Sequence, residues 1–240
     1  NADNEKVARN ILIDETPDLV IQVADAKNLK RSLALTSLLA EFNIPLVVVL
    51  NMVDEAAQKG IKVKRHKLEE MLGTAVIETV ASEGVGIASV ISALGKALKP
   101  SYPSRLPTSL AGAVQGLVGL MADTPKDSRK AGAEWEKRAL ALFSLAGDKE
   151  ASRWARQRSG ISDNQAAFHI IEDAVGSFFR PLDLIVSRAN DRWAEALYAE
   201  SVYFTPVTSV PVLNRIGDLA LTPVAGSLIL FIILAALYFI

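Results

Sequence analysis

The chain contains no cysteine, which excludes disulfide bonds, thiolate nucleophiles and cysteine-ligated metals. It has only two histidines, His66 and His169, and they stand far apart in the sequence. A histidine-based metal site is therefore not predicted. It also lacks an excess of charge of either sign, because 26 Lys and Arg residues face 27 Asp and Glu residues. Without a basic surplus, the composition does not favour nucleic-acid binding.

Long apolar runs are missing everywhere except at the C-terminus. No charged residue occurs from Leu219 to Ile240, and the part after Leu228 is almost wholly aliphatic or aromatic. A membrane-spanning helix needs about 20 mostly apolar residues, so we predict a transmembrane helix over residues 219–240. A buried core helix is the alternative, but it would normally carry a polar stripe. The chain begins at Asn1 without a Met and stops inside this run, so we expect a fragment of a longer polypeptide.

Residues 1–99 are predicted to alternate between buried strands and helices. The predicted strands are Leu19–Val23, Leu46–Leu50 and Ala75–Val80, and the predicted helices are Glu5–Ile13, Leu35–Phe42, Lys64–Leu72 and Ile87–Leu98. Such alternation indicates an open, mostly parallel α/β sheet. Three strands are too few for such a sheet to close its core, so we expect further strands upstream.

A cluster of prolines ends this pattern. Pro100, Pro103 and Pro107 mark a boundary, beyond which the helical period replaces the strand signal. We therefore predict an all-α domain over residues 105–200, whose apolar stripes form a core. A connector over residues 201–218 then leads to the apolar run.

The clearest chemical motif follows the second predicted strand. Asn51-Met52-Val53-Asp54 comes directly after Leu50, and open α/β sheets bind ligands beyond the carboxyl ends of their strands. The carboxylate of Asp54 can accept two parallel hydrogen bonds from the N1–H and 2-amino groups of guanine, a donor pair that adenine lacks. Asn51 would brace the loop and reach N7 of the base. On its own, the spacing also fits an ordinary Asx turn.

A second motif follows the next predicted strand. Ala81-Ser82-Glu83-Gly84-Val85-Gly86 is a turn of mostly small residues that opens a helix. Its backbone N–H groups can donate to O6 of guanine, and the small side chain of Ala81 permits close approach. Because the two loops follow adjacent strands, we expect them at the same edge of the sheet. Together they predict a guanine site that includes Asn51, Asp54, Ala81 and Ser82.

The two loops resemble the fourth and fifth signature loops of the small GTPases. Three further segments are similar to the bacterial ferrous iron transport protein B family, namely Asp3–Arg9, Val23–Leu33 and Leu221–Gly226. Met52 stands where most GTPases place a Lys against the base, and a Met is usual there in this family. The resemblance implies that Met52 joins the guanine site.

The same resemblance implies the fold and the function of the parent protein. The fold would be a partial P-loop GTPase-like α/β sheet, an all-α helical domain and the first transmembrane helix. The parent would bind GTP and GDP with Mg²⁺, hydrolyse GTP, and move Fe²⁺ through the bilayer of the bacterial inner membrane. Residues 1–215 would be cytoplasmic, with small accessory proteins and a homo-oligomer as further partners. The phosphate-binding loop and both switch motifs are absent from these residues, so we predict no catalytic residue or Mg²⁺ ligand among them.

Two other functions remain open at the level of the sequence. A tail-anchored membrane protein could use its helical domain to bind protein partners without any nucleotide chemistry. An ATP-using transport domain is a third reading, which the carboxylate of Asp54 opposes.

Overall fold

The computed structural model describes residues 2–15, 17–101, 106–121, 134–159, 165–206 and 222–238. Strands and helices alternate up to residue 94, which confirms the predicted α/β pattern. The elements of this part are α1 (Ala2–Glu15), β1 (Val20–Asp25), α2 (Leu29–Glu41), β2 (Leu46–Asn51), α3 (Val53–Gln58), β3 (Ile61–Val63), α4 (Arg65–Leu72), β4 (Ala75–Glu78) and α5 (Ile87–Leu94).

β1, β2 and β4 form a parallel sheet in which β2 is central. Its residues from Leu46 to Leu50 are all buried, as a run of Leu and Val requires when both faces of a parallel strand are covered. Asp25 pairs with Asn51, and Leu50 pairs with Glu78. The three strands therefore end together, and the loops that follow them share one edge of the sheet.

Helices make up most of the rest of the described chain. They are α6 (Thr108–Leu120), α7 (Glu134–Leu145), α8 (Lys149–Ser159), α9 (Gln165–Gly176) and α10 (Leu182–Ser201). Pro181 precedes α10 directly and separates it from α9. The ring of Phe143 lies 5.5 Å from that of Phe42 on α2, and Trp193 of α10 is buried in the same apolar cluster. The helices and the sheet thus share one core, although the prolines divide the sequence.

Three short elements were not predicted. α3 follows the Asn51 loop directly, and β3 pairs antiparallel with β5 (Val202–Phe204). The predicted connector 201–218 therefore begins with a strand, and its residues 207–218 lie outside the described ranges. None of the three contains the continuous run of buried Leu and Val that marks β2, or enough residues for a helical period, which explains why the sequence did not reveal them.

The last helix of the sheet part is shorter than predicted. α5 ends at Leu94, and the carbonyl of Leu98 instead accepts a hydrogen bond from the backbone N–H of Leu46 at 3.0 Å. This hydrogen bond joins the segment that follows α5 to the start of β2. Four of the residues predicted to be helical therefore form a return segment along the sheet.

The C-terminal apolar run forms helix α11 (Pro223–Tyr238), which has 16 residues. Its side chains of Leu230, Phe231 and Leu234 are exposed. Within the described ranges, none of the helices combines the length and the apolar character that crossing a membrane requires. Residues 219–221 and 239–240 of the predicted span lie outside those ranges.

Candidate functional site at the carboxyl edge of the sheet

Asn51 connects the two loops that the sequence singled out. It is the last residue of β2, and its side-chain Oδ1 accepts hydrogen bonds from the backbone N–H of Ala81 at 3.0 Å and from Oγ1 of Thr79 at 3.1 Å. The N–H of Thr79 in turn donates to the carbonyl of Leu50 at 2.8 Å. Asn51 therefore braces the loop after β4, as predicted, and Thr79 is a second brace that the sequence did not indicate.

Met52 turns the chain from β2 into α3. Its φ of 61° lies in the left-handed region, which is uncommon for a residue other than glycine and marks a locally constrained backbone. This turn places Asp54 and Glu55 in the first turn of α3, where the helix dipole favours negative charge. Asp54 is half-buried, and the side chain of Met52 is 37% exposed. Both side chains thus remain accessible beyond the end of β2.

The loop after β4 is a tight turn. Val80 and Val85 exchange backbone hydrogen bonds, each of 3.2 Å, across the short 3-10 turn Ala81–Glu83. Gly86 then begins α5 with a φ of 84°, and a Cβ added there would lie 2.3 Å from the carbonyl oxygen of Glu78. The close approach and the positive φ together require a glycine at this position. The loop therefore has a fixed shape and holds Ala81 at the surface.

The predicted site residues thus lie at one edge, with one difference in their hydrogen bonding. The sequence predicts that backbone N–H groups of the turn after β4 donate hydrogen bonds to O6 of guanine. The N–H of Ala81 already donates to Asn51, so its main role in this structure is to join the two loops. Ala81 and Ser82 are both exposed, which leaves the outer side of the turn open to a ligand.

A charged cluster that the sequence did not predict lies at the same edge. Nζ of Lys27 lies 2.6 Å from Oε2 of Glu55, and thus ties the turn after β1 to α3. The carboxylate of Asp25 accepts hydrogen bonds from the Lys27 N–H at 2.8 Å and from Nδ2 of Asn28 at 2.9 Å. One feature of the sequence could have indicated this cluster: Asp25 is a polar residue that directly follows a buried apolar run, as Asn51 is.

The titration of this cluster follows from its contacts. Burial opposes ionisation of Asp25, but the hydrogen bonds from Asn28 and Lys27 and the charge of Lys27 outweigh it, so the pKa of Asp25 is lowered. The hydrogen bond to Glu55 raises the pKa of Lys27, and the charges of Glu55, Asp25 and Asp54 act in the same direction. At neutral pH the edge of the sheet therefore carries an ionised network of both signs.

A metal site is not found in the part of the chain that the structure describes. No three His, Asp or Glu side chains within those residues come together as a group that could hold a metal ion. His66 instead contacts Arg65 and Glu69 at the surface of α4.

Comparison with known proteins adds a family to this geometry. The family profile described as ferrous iron transport protein B matches residues 1–94. The Fe(2+) transporter FeoB of Legionella pneumophila (strain Paris) is 39% identical over 108 residues, which are 45% of this chain and 14% of the relative. The chain thus matches about one seventh of the length of that relative.

Solved structures share the fold. The cytosolic domain of L. pneumophila FeoB superposes with a TM-score of 0.64 at 24% identity, over 82% of this chain and 73% of that one. The mGMPPNP-bound NFeoB from S. thermophilus gives a TM-score of 0.65 at 24% identity, over 84% of this chain and 74% of that one. These similarities extend beyond residue 94 into the helices. Residues 1–94 therefore match the ferrous iron transport protein B family profile, and the chain shares the fold of these FeoB cytosolic domains.

Proposed function

We propose that Asn51, Met52, Asp54, Ala81 and Ser82 form the guanine-recognition part of a GTP-binding domain. The observation that carries the proposal is the pair of hydrogen bonds from Ala81 and Thr79 to Asn51. They fix the loop after β4 against the loop that bears Asp54, so that both sides of one flat base would be held at once. Asp54 then accepts hydrogen bonds from the N1–H and 2-amino groups, and the turn at Ser82 lies against O6.

The nucleotide chemistry of relatives supports this assignment. A guanine nucleotide analogue, mGMPPNP, is bound to NFeoB from S. thermophilus, whose fold the chain shares. GTP and GDP are therefore the proposed ligands of the intact protein. Among the described residues no metal-binding group is found, so the proposal assigns none of them to Mg²⁺ or to hydrolysis.

At the scale of the intact protein, we infer a GTP-dependent transporter of ferrous iron in the bacterial inner membrane. The support is the family of residues 1–94 and the relative named as an Fe(2+) transporter. The uncharged run from Leu219 to Ile240 is proposed as its first membrane span, with residues 1–215 on the cytoplasmic side. The domain boundaries at residues 99, 105, 200 and 218 belong to the same proposal.

The helical part would pass the state of the nucleotide to the membrane. Arg9 of α1 forms an ion pair of 2.6 Å with Asp148, which precedes α8. Glu41 of α2, fully buried, lies 3.3 Å from Arg138 of α7. Both ion pairs join the sheet part to the helices, so a displacement of α1 or α2 would be felt in the helical part.

The test is a competition experiment on the protein expressed from its complete coding sequence. A fluorescent guanine nucleotide should be displaced by GDP at a concentration at least about 10⁴-fold lower than that of ADP, because only guanine presents the donor pair to Asp54. Equal displacement by ADP would contradict the guanine assignment. No binding of either nucleotide would favour the tail-anchored interaction protein.

A further inference from the structure

The pairing of β3 with β5 builds a two-stranded ribbon on the surface. Lys62 lies opposite Tyr203 in the antiparallel register. Backbone hydrogen bonds close both ends, from Lys64 to the carbonyl of Ser201 at 2.7 Å and from Thr205 to the carbonyl of Gly60 at 2.8 Å. We call residues 59–64 together with 202–204 the basic ribbon.

The basic ribbon carries positive charge that its surroundings do not neutralise. The segment from Lys59 to Lys67 contains five Lys and Arg residues and no acidic residue. Two of them lie on α4 and pair with its glutamates, Arg65 with Glu69 and Lys67 with Glu70. The other three, Lys59, Lys62 and Lys64, are exposed and form no ion pair with any residue that the structure describes. The adjoining end of α10 adds one exposed carboxylate, Glu200, so the ribbon remains net positive.

Aromatic side chains accompany these lysines. Tyr203 is 44% exposed, and Nζ of Lys64 lies 5.7 Å from the centre of its ring. Lys62 projects to the same face as Tyr203, because side chains opposite each other in a sheet share a face. Phe204 at the end of the strand is 68% exposed. Lysines beside exposed aromatic rings are the composition that favours the headgroup region of an anionic bilayer.

The position of the ribbon favours the same partner. β5 is the last described element before the apolar helix α11 in the order of the chain. Through β3 and α3 the ribbon is also continuous with the loop that bears Asp54. In the order of the chain, the ribbon thus directly precedes the helix that is proposed as the first membrane span.

We propose that the basic ribbon is a docking surface for anionic phospholipid headgroups. The membrane location of α11 rests on the proposed function, whereas the charge and the aromatic rings of the ribbon do not. Each lysine near an anionic surface strengthens binding roughly fivefold at moderate salt, so the three lysines together contribute on the order of a hundredfold.

The test compares vesicles of phosphatidylcholine alone with vesicles that also contain phosphatidylglycerol, using the protein expressed from its complete coding sequence. Lysines are acetylated with a brief pulse of a water-soluble reagent and quantified by mass spectrometry. Acetylation of Lys62 and Lys64 should fall at least about fivefold on the anionic vesicles and recover at high salt. Lys96 and Lys99, which are exposed beyond the end of α5, should react equally on both.

A pair of matched variants completes the experiment. The double variant Lys62→Glu, Lys64→Glu should abolish the lipid-dependent protection of Lys59, whereas Lys96→Glu, Lys99→Glu should retain it. Equal acetylation of the ribbon lysines on both lipids would overturn the proposal. Partition onto phosphatidylcholine vesicles depends on α11, and displacement by GDP depends on the guanine site, so each part of the proposed function fails separately from the ribbon.

Discussion

At the scale of single residues, the site depends on two backbone turns that set the positions of its side chains. Met52 and Gly86 both have positive φ values, and each lies at the start of a helix that follows a strand. The sequence indicated the side chains of Asn51 and Asp54, because polar residues after a buried run are visible in a pattern. It did not indicate the left-handed turn at Met52, because no local rule favours methionine there.

The two glycines of the loop after β4 provide a matched test of its geometry. Both have positive φ, but a Cβ would meet the carbonyl of Glu78 only at Gly86, whereas nothing lies within 4 Å at Gly84. We expect Gly84→Ala to lower the free energy of unfolding by about 1 kcal/mol through strain alone. Gly86→Ala should lower it by about 3 kcal/mol, because steric overlap adds to the strain.

Urea unfolding of the two variants measures this difference through the midpoints of their transitions. Equal midpoints would show that the loop yields to the added methyl group, and would contradict the fixed shape assigned to it.

At the scale of elements, strands with a buried apolar run and helices with an apolar stripe were predictable, whereas α3, β3 and β5 were not. The central strand β2 was placed to within one residue, because a run of buried Leu and Val has few other solutions. β3 and β5 have three residues each, and they are strands only because they pair across 140 residues of sequence. Tertiary pairing of this kind leaves no local signal.

An ion pair between α2 and α7 joins the sheet part to the later helices. Glu41 is fully buried, and its Oε2 lies 3.3 Å from the partly exposed Arg138. Removing Arg138 would leave a carboxylate in the core without this partner, so Arg138→Ala should lower the free energy of unfolding by about 2 kcal/mol. Denaturant unfolding measures the loss.

The control is Arg153→Ala, which removes a pair with Glu150 in which both side chains are about half exposed. That loss should stay under about 0.5 kcal/mol, because exposed ion pairs contribute little. A loss for Arg138→Ala no larger than that of the control would show that the contact does not stabilise the joint core.

At the scale of the whole molecule, the alternation of strands and helices up to residue 94 was predictable from the sequence, whereas the packing of the later helices on the sheet part was not. The shared core of Phe42, Phe143 and Trp193 was not predictable. An aromatic residue in the sequence indicates burial, but it does not indicate which other residues it will contact. The basic ribbon also emerges only from folding, which brings residues 59–64 beside residues 202–204.

We expect the carboxylate of Asp54 to select guanine over other bases, and exchanging this carboxylate for an amide tests that role most directly. Asp54→Asn replaces an acceptor with a donor at the edge of the base, in the protein expressed from its complete coding sequence. We measure the affinities for GDP and for xanthosine diphosphate, which presents a carbonyl where guanine has its 2-amino group. We predict that GDP binding weakens by at least about a hundredfold while xanthosine diphosphate binding improves. An unchanged preference for GDP would contradict this prediction.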